Sequence, residues 1–231
     1  MNDQAAENTG WLKGLALREG AALFGVADIG TIGNRFLLSE QETSGMRFGV
    51  SMAVALARPV LEGILDRPTL LYKWHYQQAN NLLDKMAFLM AAQIAVAGYH
   101  ALPIPASQIV DWTRHRGHVS HRAIAELAGL GWRGRNNLIV NADHGAAIRL
   151  VTLLTDFPLS TNSPVEAQCG TCSACVKLCP AAALGMEAGD YRLDRCHAKL
   201  TEFSRERGIG VHICGVCVKA CLIRRRPGTA G

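Results

Sequence analysis

Cys169-Gly-Thr-Cys172-Ser-Ala-Cys175-Val-Lys-Leu-Cys179-Pro180 has the spacing C-x2-C-x2-C-x3-C-P, and Cys196 with Cys214-Gly-Val-Cys217-Val-Lys-Ala-Cys221 supplies a second, looser set. Three closely spaced thiolates can wrap three irons of a cubane, but their loop cannot also reach the fourth. The cysteine before proline therefore turns away and ligates the other cluster. On this geometry Cys169, Cys172 and Cys175 are completed by Cys221, while Cys196, Cys214 and Cys217 are completed by Cys179. Two [4Fe-4S] clusters then use every cysteine. Zinc is the rival, because eight thiolates could also hold two ions, although the tight third cysteine and the x3-C-P ending are not its habit. Disulfides are the third alternative.

The remainder of the chain is chemically different. Residues 1–168 contain no cysteine, and all eight fall within 169–221 of the 231 residues. Hydrophobic residues make up 49% and charged residues 19%, enough apolar material for a folded core and too much for a disordered chain. Lys plus Arg exceed Asp plus Glu by 24 to 19, a net +5. That excess is mild beside the clustered charge of dedicated nucleic-acid binders. The opening MNDQAAENTGWLKG has no basic region followed by an apolar one, and the most apolar helix-like stretch, 86–97, is too short to cross a bilayer. A cytoplasmic protein without membrane attachment is expected, and in a reducing compartment clustered cysteines point to metal before disulfides.

Working back from the cysteines, 158–168 (PLSTNSPVEAQ) reads as a boundary, giving an α+β domain over 1–160 and a two-cluster domain over 161–231. In the first, 10–20 reads as a short helix, 21–29 as an apolar stretch and 46–57 as a buried strand. Apolar residues at Leu82, Leu83, Met86, Leu89, Met90 and Ile94 predict a long amphipathic helix over 72–97, closed by Gly98. The segment 101–107 (ALPIPAS) reads as a connector. Ser120 is placed to cap a helix running to Leu127, and strands are expected at 137–140 and 148–155, joined by the turn 141–145. No regular βαβ alternation is visible, which favours α+β.

The blocks AGLGWRGRNNLIV (128–140), HGAAIRLVTLLTDFPL (144–159), CGTCSACVKLCP and YRLDRCHAKLTEFSRERGIGVHICGVCVKAC (191–221) resemble, in this order, the epoxyqueuosine reductase family. The superfamily also holds corrinoid-dependent reductive dehalogenases. The resemblance implies a nitroreductase-like cobalamin-binding α+β sandwich followed by a ferredoxin-like domain with two clusters, one of which hands electrons to the cobalt of a base-off cobalamin. It covers 110–221 well and 10–100 loosely. Two departures stand out. The family's Asp in D-x-x-P-[VL]-L-E, upstream of AGLGW, is replaced by the His- and Arg-rich stretch 113–122, and the second cysteine run ends Cys221-Leu222 instead of Cys-Pro-Trp. The chain also stops ten residues after Cys221, without the family's helical-repeat tail, so tRNA is not expected as a partner.

The resemblance places the loop of Gly129, Gly131, Trp132 and Gly134 against the corrin, with Arg135 near a corrin carboxamide or the substrate. A helix cap, a tight turn and a solvated arginine are the plainer alternatives. Asp111, His115 and His118 are the candidate proton donors, with His121 in the same series; imidazoles titrate near neutrality, whereas the spacing H-x2-H-x2-H matches no established metal site. Arg224, Arg225 and Arg226 form a basic tail, read as solubilising or as a docking point for an acidic electron donor. The expected function is an iron–sulfur oxidoreductase supplied by a donor such as flavodoxin or ferredoxin, its clusters feeding a corrinoid that reduces an unidentified small molecule or modified nucleoside. The alternative is an electron-transfer or activation protein that reduces a partner protein and has no substrate site of its own.

Overall fold

The computed structural model describes residues 2–187 and 189–222. The Arg224–Arg226 tail lies outside them. The fold is mixed α/β and divides into two compact units, neither continuous in sequence.

The first unit takes the chain up to Ala55, then Tyr76–Trp132 and Ile148–Ala167. Its centre is a four-stranded antiparallel sheet in the order β1-β2-β6-β3, formed by β1 (Leu23–Asp28), β2 (Phe48–Ala55), β3 (Ala101–Ile104) and β6 (Ile148–Thr155). Six successive residues of β2, Gly49 to Val54, are buried, so both faces of the sheet are covered. Helix α1 (Asn2–Arg18) begins well before the expected 10–20 and rests against β1, with Leu12 and Ala16 buried. Helix α2 (Glu40–Thr43) is one turn closed by a capping box between Ser39 and Glu42. Helix α4 (Leu70–Val96) buries Leu83, Met86, Ala87, Met90 and Ile94, the spacing of one helical face. Each large apolar side chain withdrawn in this way contributes about 1.5–3 kcal/mol. Leu89, expected on that face, is 36% exposed.

Helix α5 (His121–Leu127) starts where Ser120 accepts a hydrogen bond from the Ala123 amide at 3.3 Å. It packs on β1, β2 and β6. Close approach depends on Gly49, where a β-carbon would stand 3.0 Å from Ile124 Cγ2. One expectation needs correcting: 101–107 is not merely a connector. Ala101–Ile104 pairs with β6 as an edge strand, which tolerates Pro103 because one side of the strand lacks a partner.

The second unit collects Leu56–His75, Arg133–Ala147 and the chain from Gln168 on. The cysteine segment is therefore joined by two stretches from the region the sequence assigned to the first domain. These carry α3 (Arg58–Glu62), the first residues of α4, and the turn between β4 (Trp132–Arg133) and β5 (Ile139–Val140). The cysteine segment adds α6 (Ala174–Leu178), α7 (Leu193–Ser204) and α8 (Val216–Ala220). Helix α8 lies against α6 and α3. Leu61, Ile64, Tyr72, Ala183, Phe203, Ile213 and Val216 are buried, and the Lys73 ammonium donates to the Gly208 carbonyl at 2.7 Å.

Candidate metal centre

The first three cysteines sit in a loop and the short helix that follows it. Cys169 accepts the Cys172 amide through its carbonyl at 3.0 Å, Gly170 takes φ 54° to make that turn, and Cys175 is buried in the first turn of α6. Cys179 caps α6, and its sulfur accepts from the Ala183 amide at 3.4 Å. Cys196 lies on α7, while Cys217 and Cys221 lie on and just beyond α8. Each run thus passes from loop into helix.

Electrostatics sort the eight thiols into two sets. Burial raises the pKa of Cys175, and the Cys169 and Cys172 thiolates raise it further. Burial pushes Cys221 up to about 11, opposed by the Ala146 amide donating to it, with Cys175, Cys169 and Cys172 as its charged neighbours. In the other set burial lifts Cys196, offset by a hydrogen bond from Tyr191 and reinforced by Cys179. Burial likewise pushes Cys214 up to about 11, opposed by the Val216 amide and reinforced by Cys196 and Cys179. Cys217 is pushed highest, by burial and then by Cys214, Cys196 and Cys179, with Cys175 last. Buried thiols that repel one another as thiolates require a positively charged partner to stay deprotonated, which suits this donor set to a metal cluster. Among the described residues, no three or more Cys, His, Asp or Glu converge closely enough for a single metal ion; a cubane distributes its four ligands over separate irons.

The hairpin turn between β4 and β5 supports one of these loops. It is closed by Gly134 N–H to Leu138 O and Asn137 N–H to Gly134 O, both 2.9 Å, with Asn137 at φ 56°. A β-carbon at Gly134 would meet Val140 Cγ2 at 2.5 Å and Asn136 Oδ1 at 2.8 Å. From this turn Arg135 reaches into the cysteine loop: Nη2 donates to the Gly170 carbonyl at 2.8 Å, Nη1 to that of Cys172 and Nε to that of Met186. Further along, Gly145 (φ 58°) packs on Cys221.

The residues expected at a corrin separate accordingly. Gly129 (φ 71°) is needed by the chain itself, since a β-carbon there would lie 2.6 Å from the Ser163 carbonyl oxygen, and Gly134 is needed by its turn. Arg135, expected beside a corrin or substrate, instead has all three guanidinium nitrogens on carbonyls of the cysteine segment. Gly131 is buried. Trp132 has its Nε1 buried with no hydrogen-bond partner among the described residues, a donor that a bound acceptor would satisfy.

Two of the expected proton donors, and His121 beside them, have structural employment. Asp111 Oδ1 accepts from the amides of Thr113 and Arg114 at 3.0 and 2.9 Å, and its backbone exchanges two bonds with Arg116, closing a loop. His115 lies within that loop at φ 52°. His118 Nδ1 stands 3.2 Å from the Leu37 carbonyl, while the Leu37 amide donates to the His118 carbonyl at 2.7 Å. His121 Nε2 is 2.9 Å from the Pro105 carbonyl and Nδ1 is 2.8 Å from Thr152 Oγ1. A carbonyl can only accept, so Nε2 carries the proton and Nδ1 accepts from the threonine. Burial lowers its pKa to about 4 and keeps the ring neutral, which removes His121 as a proton donor near pH 7.

Sequence reasoning missed Gly145, Ala146, Tyr191 and the actual use of Arg135. The turn-forming composition of 141–145 was the only local sign of the first two.

Comparison with known proteins places these features. No protein-family model matches the chain. The epoxyqueuosine reductase of Aliivibrio fischeri is 37% identical over 156 residues, 64% of this chain and 39% of that protein. The crystal structure of an epoxyqueuosine reductase with an epoxyqueuosine-modified tRNA stem loop superposes with a TM-score of 0.66 at 19% identity, covering 93% of this chain and 64% of the other. A reductive dehalogenase, whose structure is described in terms of B12-dependent dehalogenation, superposes at 0.75 with 21% identity, covering 94% and 32%. The chain is thus related in sequence to the epoxyqueuosine reductases and shares its fold with both groups. It spans about a third of the length of the curated relatives it matches. No helix among the described residues is long and apolar enough to cross a membrane.

Proposed function

We propose that the chain is an iron–sulfur oxidoreductase, related to epoxyqueuosine reductases, in which two [4Fe-4S] clusters pass single electrons to a corrinoid that reduces a substrate. The observation that carries this reading is the sorting of eight thiols into two sets of four, each drawing its fourth member from the other cysteine run. Cys169, Cys172, Cys175 and Cys221 would hold one cluster, and Cys179, Cys196, Cys214 and Cys217 the other, within a ferredoxin-like unit.

For the corrinoid, the supporting feature is the unsatisfied Nε1 of Trp132, which would donate to a carboxamide or other acceptor on the macrocycle's rim. When bound, the corrinoid supplies a strongly reducing cobalt centre. The chain's own part is to hold the clusters, exclude water from their buried thiols and provide that donor. Flavodoxin or ferredoxin would be the electron source. The relatives' names make epoxyqueuosine the first substrate to test, as free nucleoside and in tRNA.

The test is anaerobic reconstitution of the full chain, followed by iron and sulfide analysis and titration with cobalamin. Eight iron and eight sulfide per chain, with a cobalamin spectrum that changes on binding, support the reading. Stoichiometric zinc without sulfide overturns the clusters, and an unchanged cobalamin spectrum overturns the corrinoid.

A second reading is favoured by the candidate acids. Asp111 ties its own loop, His118 lies against the Leu37 carbonyl and His121 is held neutral, as an electron-transfer or activation protein without a substrate site would permit.

A further inference from the structure

We propose that Arg135 is a positioning residue for the cluster held by Cys169, Cys172, Cys175 and Cys221, fixing the first cysteine loop and raising that cluster's reduction potential relative to the other. The inference rests on the two-cluster reading and adds to it a residue outside both cysteine runs.

Arg135 spends all three guanidinium nitrogens on one segment, donating to the carbonyls of Gly170, Cys172 and Met186. Its own backbone is held in a turn closed by two 2.9 Å hydrogen bonds, so the fork is presented from a fixed base. The loop has few other restraints. Gly170 adopts a left-handed conformation, Cys172 is exposed, and the bond from the Cys172 amide to the Cys169 carbonyl is local.

Two physical consequences follow. In a trans peptide the N–H points opposite to the C=O. Pinning the Gly170 and Cys172 carbonyls therefore fixes the direction of the Thr171 and Ser173 amides between the thiols. Secondly, a guanidinium keeps its charge at every pH the protein experiences. A permanent cation beside the loop favours the more negative, reduced state of a cluster bound there. The other set also has a cation nearby, Lys199, which acts on Cys214, but among the described residues none is hydrogen-bonded to the carbonyls of Cys179, Cys196, Cys214 or Cys217, so removing Arg135 acts on the first cluster alone.

The experiment compares reconstituted full-length wild type, Arg135→Gln and Arg135→Lys by EPR-monitored redox titration and by the rate of iron loss to a chelator. In Arg135→Gln one of the two reduction steps shifts to lower potential while the other stays, and half the iron leaves faster. Arg135→Lys keeps the charge but cannot make three directed bonds, so it recovers most of the potential and little of the chelator resistance. Two unmoved potentials in Arg135→Gln overturn the proposal, as does a lysine variant whose potentials match those of the glutamine variant. Wild type that takes up no iron and sulfide overturns the cluster reading itself, and that result is in hand before any variant is compared.

Discussion

Gly145 stands so close to Cys221 that a β-carbon on it would collide with the Cys221 carbonyl oxygen and lie 3.5 Å from the sulfur, while the next amide, of Ala146, donates to that same thiol. A turn far upstream thus supports a cysteine that completes a set otherwise made of residues 169–175. Gly145→Ala must both strain a left-handed backbone and displace Cys221. A loss of about 2–3 kcal/mol is expected from strain and overpacking together. EPR of the reconstituted variant should show the Cys169–Cys175 cluster depleted and the other retained; equal loss of both would contradict the assignment.

Cys179→Ser should harm the cluster farther from it in sequence. Cys179 acts electrostatically on Cys196, Cys214 and Cys217. Site-resolved spectra should therefore lose the signal of that second set first. Survival of that signal with loss of the first would refute the crossed arrangement.

Trp132→Phe separates the indole's shape from its donor. An unsatisfied buried N–H costs about 1–3 kcal/mol, so the cofactor-free variant should unfold at equal or higher denaturant concentration than wild type. Cobalamin affinity should fall roughly tenfold, the worth of one hydrogen bond of about 1.4 kcal/mol. Unchanged affinity would leave the orphaned donor without a ligand role.

His121 gives the first unit a pH dependence. Its folded pKa of about 4 lies below the ordinary 6.5, so between these values the unfolded chain binds a proton that the folded chain does not. Stability is complete above about pH 6.5 and is lost as pH falls toward 4. With the ring's partial exposure discounted, the loss is about 2 kcal/mol. Urea unfolding at pH 7 and pH 5 should reveal it, and His121→Gln should flatten the dependence.

Asp111→Asn retains an oxygen for the Thr113 and Arg114 amides and should leave the loop intact, whereas Asp111→Ala removes their acceptor and should cost about 1 kcal/mol by thermal unfolding. If Asp111→Asn abolishes reduction of a substrate while Tm is unchanged, the carboxyl has a chemical role beyond closing its loop.

What could be read from the sequence was what local chemistry decides. The apolar spacing of Leu83, Met86, Met90 and Ile94 is a property of one helix, and Ser120 caps the helix it precedes. The cysteine spacing likewise carries its own stereochemistry. What escaped was decided across the chain. Pro103 and Pro105 look like a connector until β6 supplies a partner for Ala101–Ile104. Arg135 looks like a surface residue until the carbonyls of Gly170, Cys172 and Met186, 35 to 51 residues onward, are brought to it. His121 looks titratable until Thr152 and Pro105 enclose it.

The discontinuity of the second unit also has a bearing on how the protein is made. Lys219 donates to the carbonyl of Ile64, 155 residues earlier. At a ribosomal rate of about 5–20 residues per second, the segment carrying Ile64 waits roughly 8–30 s before Lys219 has been synthesised. Residues 133–147 emerge in the interval and must wait as well. On the two-cluster reading, iron and sulfide delivered to the nascent chain would find Cys169, Cys172 and Cys175 before Cys221 existed, with Cys179, a member of the other set, as the nearest fourth thiol. Loading in the proposed pairing would therefore have to wait until translation has passed Cys221, and a cluster built earlier would draw on Cys179 instead.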